Sequence, residues 1–130
     1  MDITGYTRKD IGNLGERVAA EYARRLGFTV IARNVARKTG ELDVVARKGK
    51  VLHVIEVKTL VCEEFPTAHA NRHHPGDNLH LYKIRKVART AEWYVADIKW
   101  AGEWQVDGVL VWLRKRDALA KVRYVPQIIQ

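Results

Sequence analysis

Cysteine is nearly absent from this sequence: Cys62 stands alone in 130 residues. One thiol cannot close an intrachain disulfide, and without a CxxC pair there is no zinc-finger or dithiol redox signature. Long apolar runs are missing too, and the first residues (MDITGYTRKDIGN) contain no signal-peptide core, so the expectation is a cytoplasmic chain with no membrane association. Three prolines and no repeat or low-complexity stretch interrupt the chain, which predicts one domain over residues 1–130. Acidic residues are the other shortage. Fifteen Asp and Glu against 23 Lys and Arg give a net charge of +8, a surface suited to polyanions and to nucleic acid first. Hydrophobic residues make up 47% and are spread along the chain, which is enough for a core and excludes disorder of the whole.

Apolar residues at Ile11, Leu14, Val18, Tyr22 and Leu26 recur every three or four positions and predict an amphipathic helix over 10–26, stopped by Gly27. Strand-like patterns follow at Phe28–Asn34 and twice within GELDVVARKGKVLHVIEVKT. Leu60–Asp77 reads as a long polar connection. Leu79–Val95 is helical and strongly basic, Trp104–Leu113 a buried strand, and Lys121–Val125 a short last one. This order predicts an α/β fold with a mixed sheet flanked by helices.

Gly49-Lys50 sits between two alternating runs, and a glycine at the first central position suits a two-residue type II′ turn. Pairing Lys48 with Val51 then puts Val45 opposite Val54, Asp43 opposite Glu56 and Glu41 opposite Lys58. Leu42, Val44, Ala46, Ile55 and Val57 fall on the other, core-facing side. Two carboxylates forced about 5 Å apart repel, and either a proton or a cation must offset this. Mg²⁺ or Mn²⁺ with water and phosphate is one solution, and Lys58 on the same face suits phosphodiester hydrolysis. The bland alternative is a solvated strand end with an ordinary Glu41–Lys58 ion pair.

Several short segments resemble the YraN-type endonuclease family of the restriction-endonuclease-like, PD-(D/E)xK superfamily. They are Gly12-x-x-Gly15-Glu16, Leu26-Gly27-Phe28, Ala32-Arg33-Asn34, Gly40-Glu41-Leu42-Asp43-Val44-Val45-Ala46, Val54-Ile55-Glu56-Val57-Lys58-Thr59, Lys83, Ala91-x-x-Tyr94-Val95 and Val106-Asp107-Gly108-Val109. The resemblance implies a restriction-endonuclease-like sheet, Asp43 and Glu56 as metal ligands with the Val57 carbonyl, and Lys58 as the catalytic lysine. It also implies Glu16 near the site and Lys83 facing substrate. Periodicity alone leaves Glu16 off the buried stripe. The segment Thr59-Leu60-Val61-Cys62-Glu63-Glu64-Phe65 is more acidic than the basic, Gly-containing loop expected after the active strand, which argues against DNA contacts there.

The implied function is a metal-dependent nuclease on DNA, selective for structure such as single-stranded or branched forms rather than for base sequence. The rival is a non-catalytic nucleic-acid-binding or adaptor protein that keeps the nuclease fold. Arg33, Arg37, Lys38, Arg47, Lys48 and Lys50 flank the hairpin as candidate phosphate contacts, a solvated basic face being the competing account. His69, His73 and His74 match no established zinc spacing. Trp93 and Trp112 are expected in the core, which leaves Trp100 and Trp104 for stacking on bases. Asp107 has no role assigned by its pattern. Oligomeric state is left open.

Overall fold

Thr7 starts the first helix, α1 (Arg8–Arg25). Its side chain accepts from the Asp10 amide while the Asp10 carboxylate accepts from the Thr7 amide, a reciprocal capping box. Gly27, at φ +94°, carries the chain out of the helix in a left-handed conformation that suits glycine. The computed structural model describes residues 2–66 and 81–129. After α1 come β1 (Thr29–Arg37), β2 (Gly40–Lys48), β3 (Val51–Cys62), α2 (Leu81–Asp97), β4 (Glu103–Arg114) and β5 (Ala120–Val125). The strands lie side by side in chain order. All neighbours are antiparallel except β3 and β4, which run parallel with α2 between them in the chain. The architecture is the expected α/β one, a mixed sheet with two helices, compatible with a restriction-endonuclease-like fold.

Both faces of the sheet are covered. Ala19 and Ala23 of α1 pack with Val44, Ala46, Ile55, Val57, Val109 and Val111 on one side. On the other, Val87, Ala91, Tyr94 and Val95 of α2 pack with Leu42, Val45, Leu52, Val54 and Val106. Burial on both faces explains the unbroken apolar run of β4. It also corrects the expectation that one face alone is core.

The register of the β2–β3 hairpin follows the turn chemistry: Lys48 pairs with Val51, Val45 with Val54 and Val44 with Ile55. Gly49 has φ +62° and Lys50 is not among the positive-φ residues, as a type II′ turn requires. The ladder then stops at Val44–Ile55. Asp43 and Glu56 therefore do not continue it as a strand pair, nor do Glu41 and Lys58. Beyond that point β2 still pairs with β1 as far as Arg37–Gly40, and β3 still pairs with β4 as far as Cys62–Arg114. The sheet has split between β2 and β3.

The split coincides with an irregularity in the outer strands. Asn34, held at φ +52°, lies opposite Asp43, between the pairs Arg33–Val44 and Val35–Leu42. Leu42 packs on the α2 side and Val44 on the α1 side, so strict alternation, which would put both on one face, slips by one residue at Asp43. Leu42 thus belongs to the opposite core from the one its spacing predicted. The segment read as a polar connection from Leu60 also begins later, since β3 runs on through Cys62.

Gly15 is where α1 crosses β3 most closely. A Cβ built there would stand 1.8 Å from Thr59 Oγ1 and 2.8 Å from Thr59 Cβ. Gly15→Ala is expected to destabilise the fold by about 1–3 kcal/mol by overpacking, despite the better helix propensity of alanine. Urea unfolding of Gly15→Ala, with and without Thr59→Gly, checks this. The double variant should recover most of the loss, and equal stability of Gly15→Ala and wild type would refute the close approach.

Candidate functional site

Where the sheet splits, Asp43 turns into the gap. Its Oδ2 accepts the Val57 amide at 2.8 Å, taking over a bond that a ladder would have made. A strand residue presents its N–H and C=O to the same edge, so the Val57 carbonyl faces the same opening. Glu56, only 2% exposed, lies within reach of the Asp43 charge, and Lys83 of α2 brings its Nζ to 2.6 Å from Glu56 Oε1. Glu16 of α1, Asp43, Val57, Lys58 and Lys83 line one cleft of about 590 Å³. Glu56 adjoins it from the α2 side, with Glu41 and Lys86.

Electrostatics follow from this crowding. Burial, then the charge of Asp43, pushes Glu56 up to about 7, against the opposing pull of Lys83. Asp43 is also raised by burial, in spite of the Val57 amide and Lys83. Glu16 is raised to about 7, again by burial first and Asp43 second. Its Oε1 is buried with no hydrogen-bond partner among the described residues. For Lys83, burial favours the neutral amine, but the Glu56 contact outweighs it and raises the ammonium above its usual value.

A consequence appears in stability without divalent cations. Glu56 titrates at 4.5 in its ordinary state and about 7 in the fold. Between these values the unfolded chain has already released a proton that the native chain keeps. Rising pH therefore favours unfolding across that window, and the stability present below it is lost. In a chelator, the melting temperature is expected to fall by several degrees between about pH 5 and about pH 8. Glu64 and Asp117, both held low by hydrogen bonds from Arg116 and Arg114 respectively, act only in the acid range below. Glu16, raised to the same value, contributes over the same window, so Glu56→Gln should reduce the slope by about half, and an unchanged slope in that variant would contradict the assignment.

The structure brings Glu16, Asp43, Glu56, Val57, Lys58 and Lys83 to one end of the sheet, although they come from four separate elements. The ammonium in contact with the acids is that of Lys83, while Lys58 is an exposed residue of the cleft wall. The basic residues around the hairpin do not form one patch. Lys48 and Lys50 lie at the Gly49 turn, roughly 20 Å along the strands from Glu56 at about 3.3 Å per residue, and Lys48 stacks over the Phe28 ring at 5.1 Å. Arg37 is paired with Asp97 at 2.9 Å, Lys38 occupies the β1–β2 turn, and Arg33 lines a separate pocket with Asp10 and Arg17.

Two tryptophan expectations reverse. Trp93, expected in the core, is 60% exposed; at 100° per residue it lies 200° around α2 from buried Ala91, a signal the sequence did contain. Trp100 and Trp104, reserved for stacking, pack partly buried against the α2-side core, whereas Trp112 is buried as expected. Asp107, unassigned from its pattern, anchors a buried network. It accepts from Gln127 N at 2.8 Å and Gln105 Nε2 at 2.7 Å, contacts His53 Nδ1 at 2.6 Å, and takes the Tyr124 hydroxyl. Glu63 and Glu64 pair with Lys115 and Arg116, which accounts for acids after β3 without any ligand. His69, His73 and His74 lie outside the described residues.

Comparison with known proteins adds an independent observation. A family model described as "Uncharacterised protein family UPF0102" matches residues 15–111, a span that contains every residue of the cleft named above. A UPF0102 protein of Syntrophotalea carbinolica is 32% identical over 121 residues, covering 93% of this chain and 92% of its own length. A relative from Symbiobacterium thermophilum is 38% identical over 86 residues, 66% of this chain and 67% of its own. One from Campylobacter jejuni subsp. doylei is 29% identical over 100 residues, 77% and 81% respectively.

Proposed function

The chain belongs to the UPF0102 family, the YraN-type family, and from its cleft we infer that it is a metal-dependent nuclease hydrolysing DNA phosphodiester bonds. The observation that carries this reading is the split between β2 and β3, which delivers two buried carboxylates and a backbone carbonyl to one opening. Nothing in the packing requires such acids: burial raises the proton affinity of both, Asp43 raises that of Glu56 further, and they depend on Lys83 for compensation.

The donor set fits a hard dication. Asp43, Glu56 and the Val57 carbonyl would hold Mg²⁺ or Mn²⁺ through oxygen, with water and phosphate completing the shell. The chemistry such an ion supplies when bound is polarisation of the phosphoryl group and acidification of a water. The Val57 amide fixes the Asp43 carboxylate by its hydrogen bond at 2.8 Å. Lys58, on the cleft wall, offers an ammonium to the charge that develops on the phosphoryl oxygens. Glu16 holds or releases a proton at its unpartnered Oε1 near neutral pH. Lys83 neutralises the acid pair while the site is empty of substrate.

The net charge of +8 supports a polyanionic substrate through counterion release. The basic residues around the hairpin are scattered, and no helix among the described residues offers an evident base-reading set, which favours recognition of DNA form over sequence.

Titration calorimetry with Mn²⁺ tests the metal site directly. The wild type is expected to bind, and Asp43→Asn to weaken binding at least about tenfold through loss of one charged ligand. Absence of any Mn²⁺ binding that Asp43→Asn removes would instead identify a non-catalytic protein built on the same fold.

A further inference from the structure

Helix α2 carries a second feature that the carboxylate chemistry leaves unused. Lys83, Lys86, Thr90, Trp93 and Asp97 succeed one another at steps of three or four, which aligns them along one face of the helix. At one end Lys83 meets Glu56. At the other is a pocket of about 360 Å³ lined by Arg37, Lys38, Thr39, Trp93 and Asp97.

The walls of this pocket are fixed before any ligand arrives. Thr39 and Thr90 share a hydroxyl hydrogen bond of 2.7 Å that ties the β1–β2 turn to α2. Arg37 is held by Asp97 at 2.9 Å and lies 5.5 Å over the Tyr94 ring. Trp93, at 60%, is the most exposed large hydrophobic side chain among the described residues. An indole kept in water beside the aliphatic stems and cationic heads of Arg37 and Lys38 is the composition of a recognition site rather than of a solvated surface.

We propose that this pocket is a stacking subsite for an unpaired nucleobase, belonging to the DNA strand whose phosphate lies at Asp43 and Glu56. The inference rests on the functional reading above and deepens it, because it names the substrate class. An indole face stacks on any base, and Lys38 and Lys86, which form no ion pair among the described residues, suit the intervening phosphates. A base inside an intact duplex has both faces covered by its neighbours and cannot enter. Single-stranded, flapped or branched DNA can. Ten residues of helix separate Lys83 from Trp93, about 15 Å at about 1.5 Å per residue. That distance corresponds to about four nucleotides of stacked strand at about 3.4 Å each, and fewer if the strand is extended.

Fluorescence anisotropy of a labelled oligothymidylate and of a blunt duplex of equal length, both in a chelator so that no hydrolysis occurs, tests the subsite. Trp93→Ala is expected to weaken oligothymidylate binding roughly 5- to 150-fold and duplex binding less than about twofold. Trp93→Phe, which keeps a stacking face, should stay near wild-type affinity while losing most of the quenching of tryptophan emission that the oligonucleotide causes in the wild type. Trp93→Ala binding single strands like the wild type, an equal loss for duplex, or no single-strand binding by the wild type would each overturn the proposal. Because the measurement needs no divalent cation, it separates from the nuclease reading. Selective loss in Trp93→Ala without any cleavage by the wild type would keep the subsite and reject the hydrolysis.

Discussion

Asp43→Asn is expected to lower Mn²⁺-supported DNA cleavage by about a thousandfold or more, and Glu56→Gln to do the same. Each replacement keeps shape and removes a full negative charge from the proposed ligand set. Metal-assisted stabilisation of the transition state is worth several kcal/mol, and each tenfold in rate corresponds to about 1.4 kcal/mol, so losing a principal ligand reaches that range. Misfolding would not explain the loss, because an asparagine side chain can still accept the Val57 amide through its carbonyl oxygen. DNA binding should be retained or slightly tightened, since an acid has been removed from a surface that meets phosphate. The measurement is a cleavage assay over single-stranded, duplex, flapped and branched DNA, with Mn²⁺ and with a chelator. Cleavage by Asp43→Asn at the wild-type rate would remove the basis for the proposed chemistry.

Asp107→Ala is expected to produce the largest loss of stability, about 3–5 kcal/mol, the range for breaking a buried charged network from one side. The residue is fully buried and serves four groups at once: the His53 ring, the Gln105 amide, the Tyr124 hydroxyl and the Gln127 backbone. Burial and the bond to Asp107 both push the Tyr124 phenol above its ordinary value, so it stays a donor at any working pH. Truncation leaves these groups without their acceptor in the interior. The network joins β3, β4 and β5, and Asp107 pairs with Ile55, the neighbour of Glu56. Urea denaturation gives the loss of stability, and cleavage at a temperature where the variant remains folded should stay within a fewfold of wild type. A change below about 1 kcal/mol would mean that the network does not anchor the sheet.

The legible parts of this molecule are those governed by local chemistry. Gly49-Lys50 set the hairpin register because a type II′ turn leaves no freedom in the count, and all five paired positions follow from it. Helix α1 was visible in its period and its Gly27 stop, and of the residues the resemblance pointed to, Glu16, Asp43 and Lys58 line one cleft while Glu56 adjoins it. Illegible from pattern alone were the points where strands depart from ideal pairing. Asn34 in a left-handed conformation and the slip at Asp43 carry no marker that alternation would detect, and they decide which core receives Leu42.

By itself, then, the sequence determined the element order, the hairpin register and the net positive charge. Each depends on residues near one another in the chain or on composition alone. Only the tertiary structure decided that the acids meet across a split instead of along a ladder, that Lys83 rather than Lys58 touches Glu56, and that Leu42 joins the α2-side core. Those outcomes depend on how α1, α2 and the sheet pack together, and contacts between distant segments leave no periodic trace in any one of them.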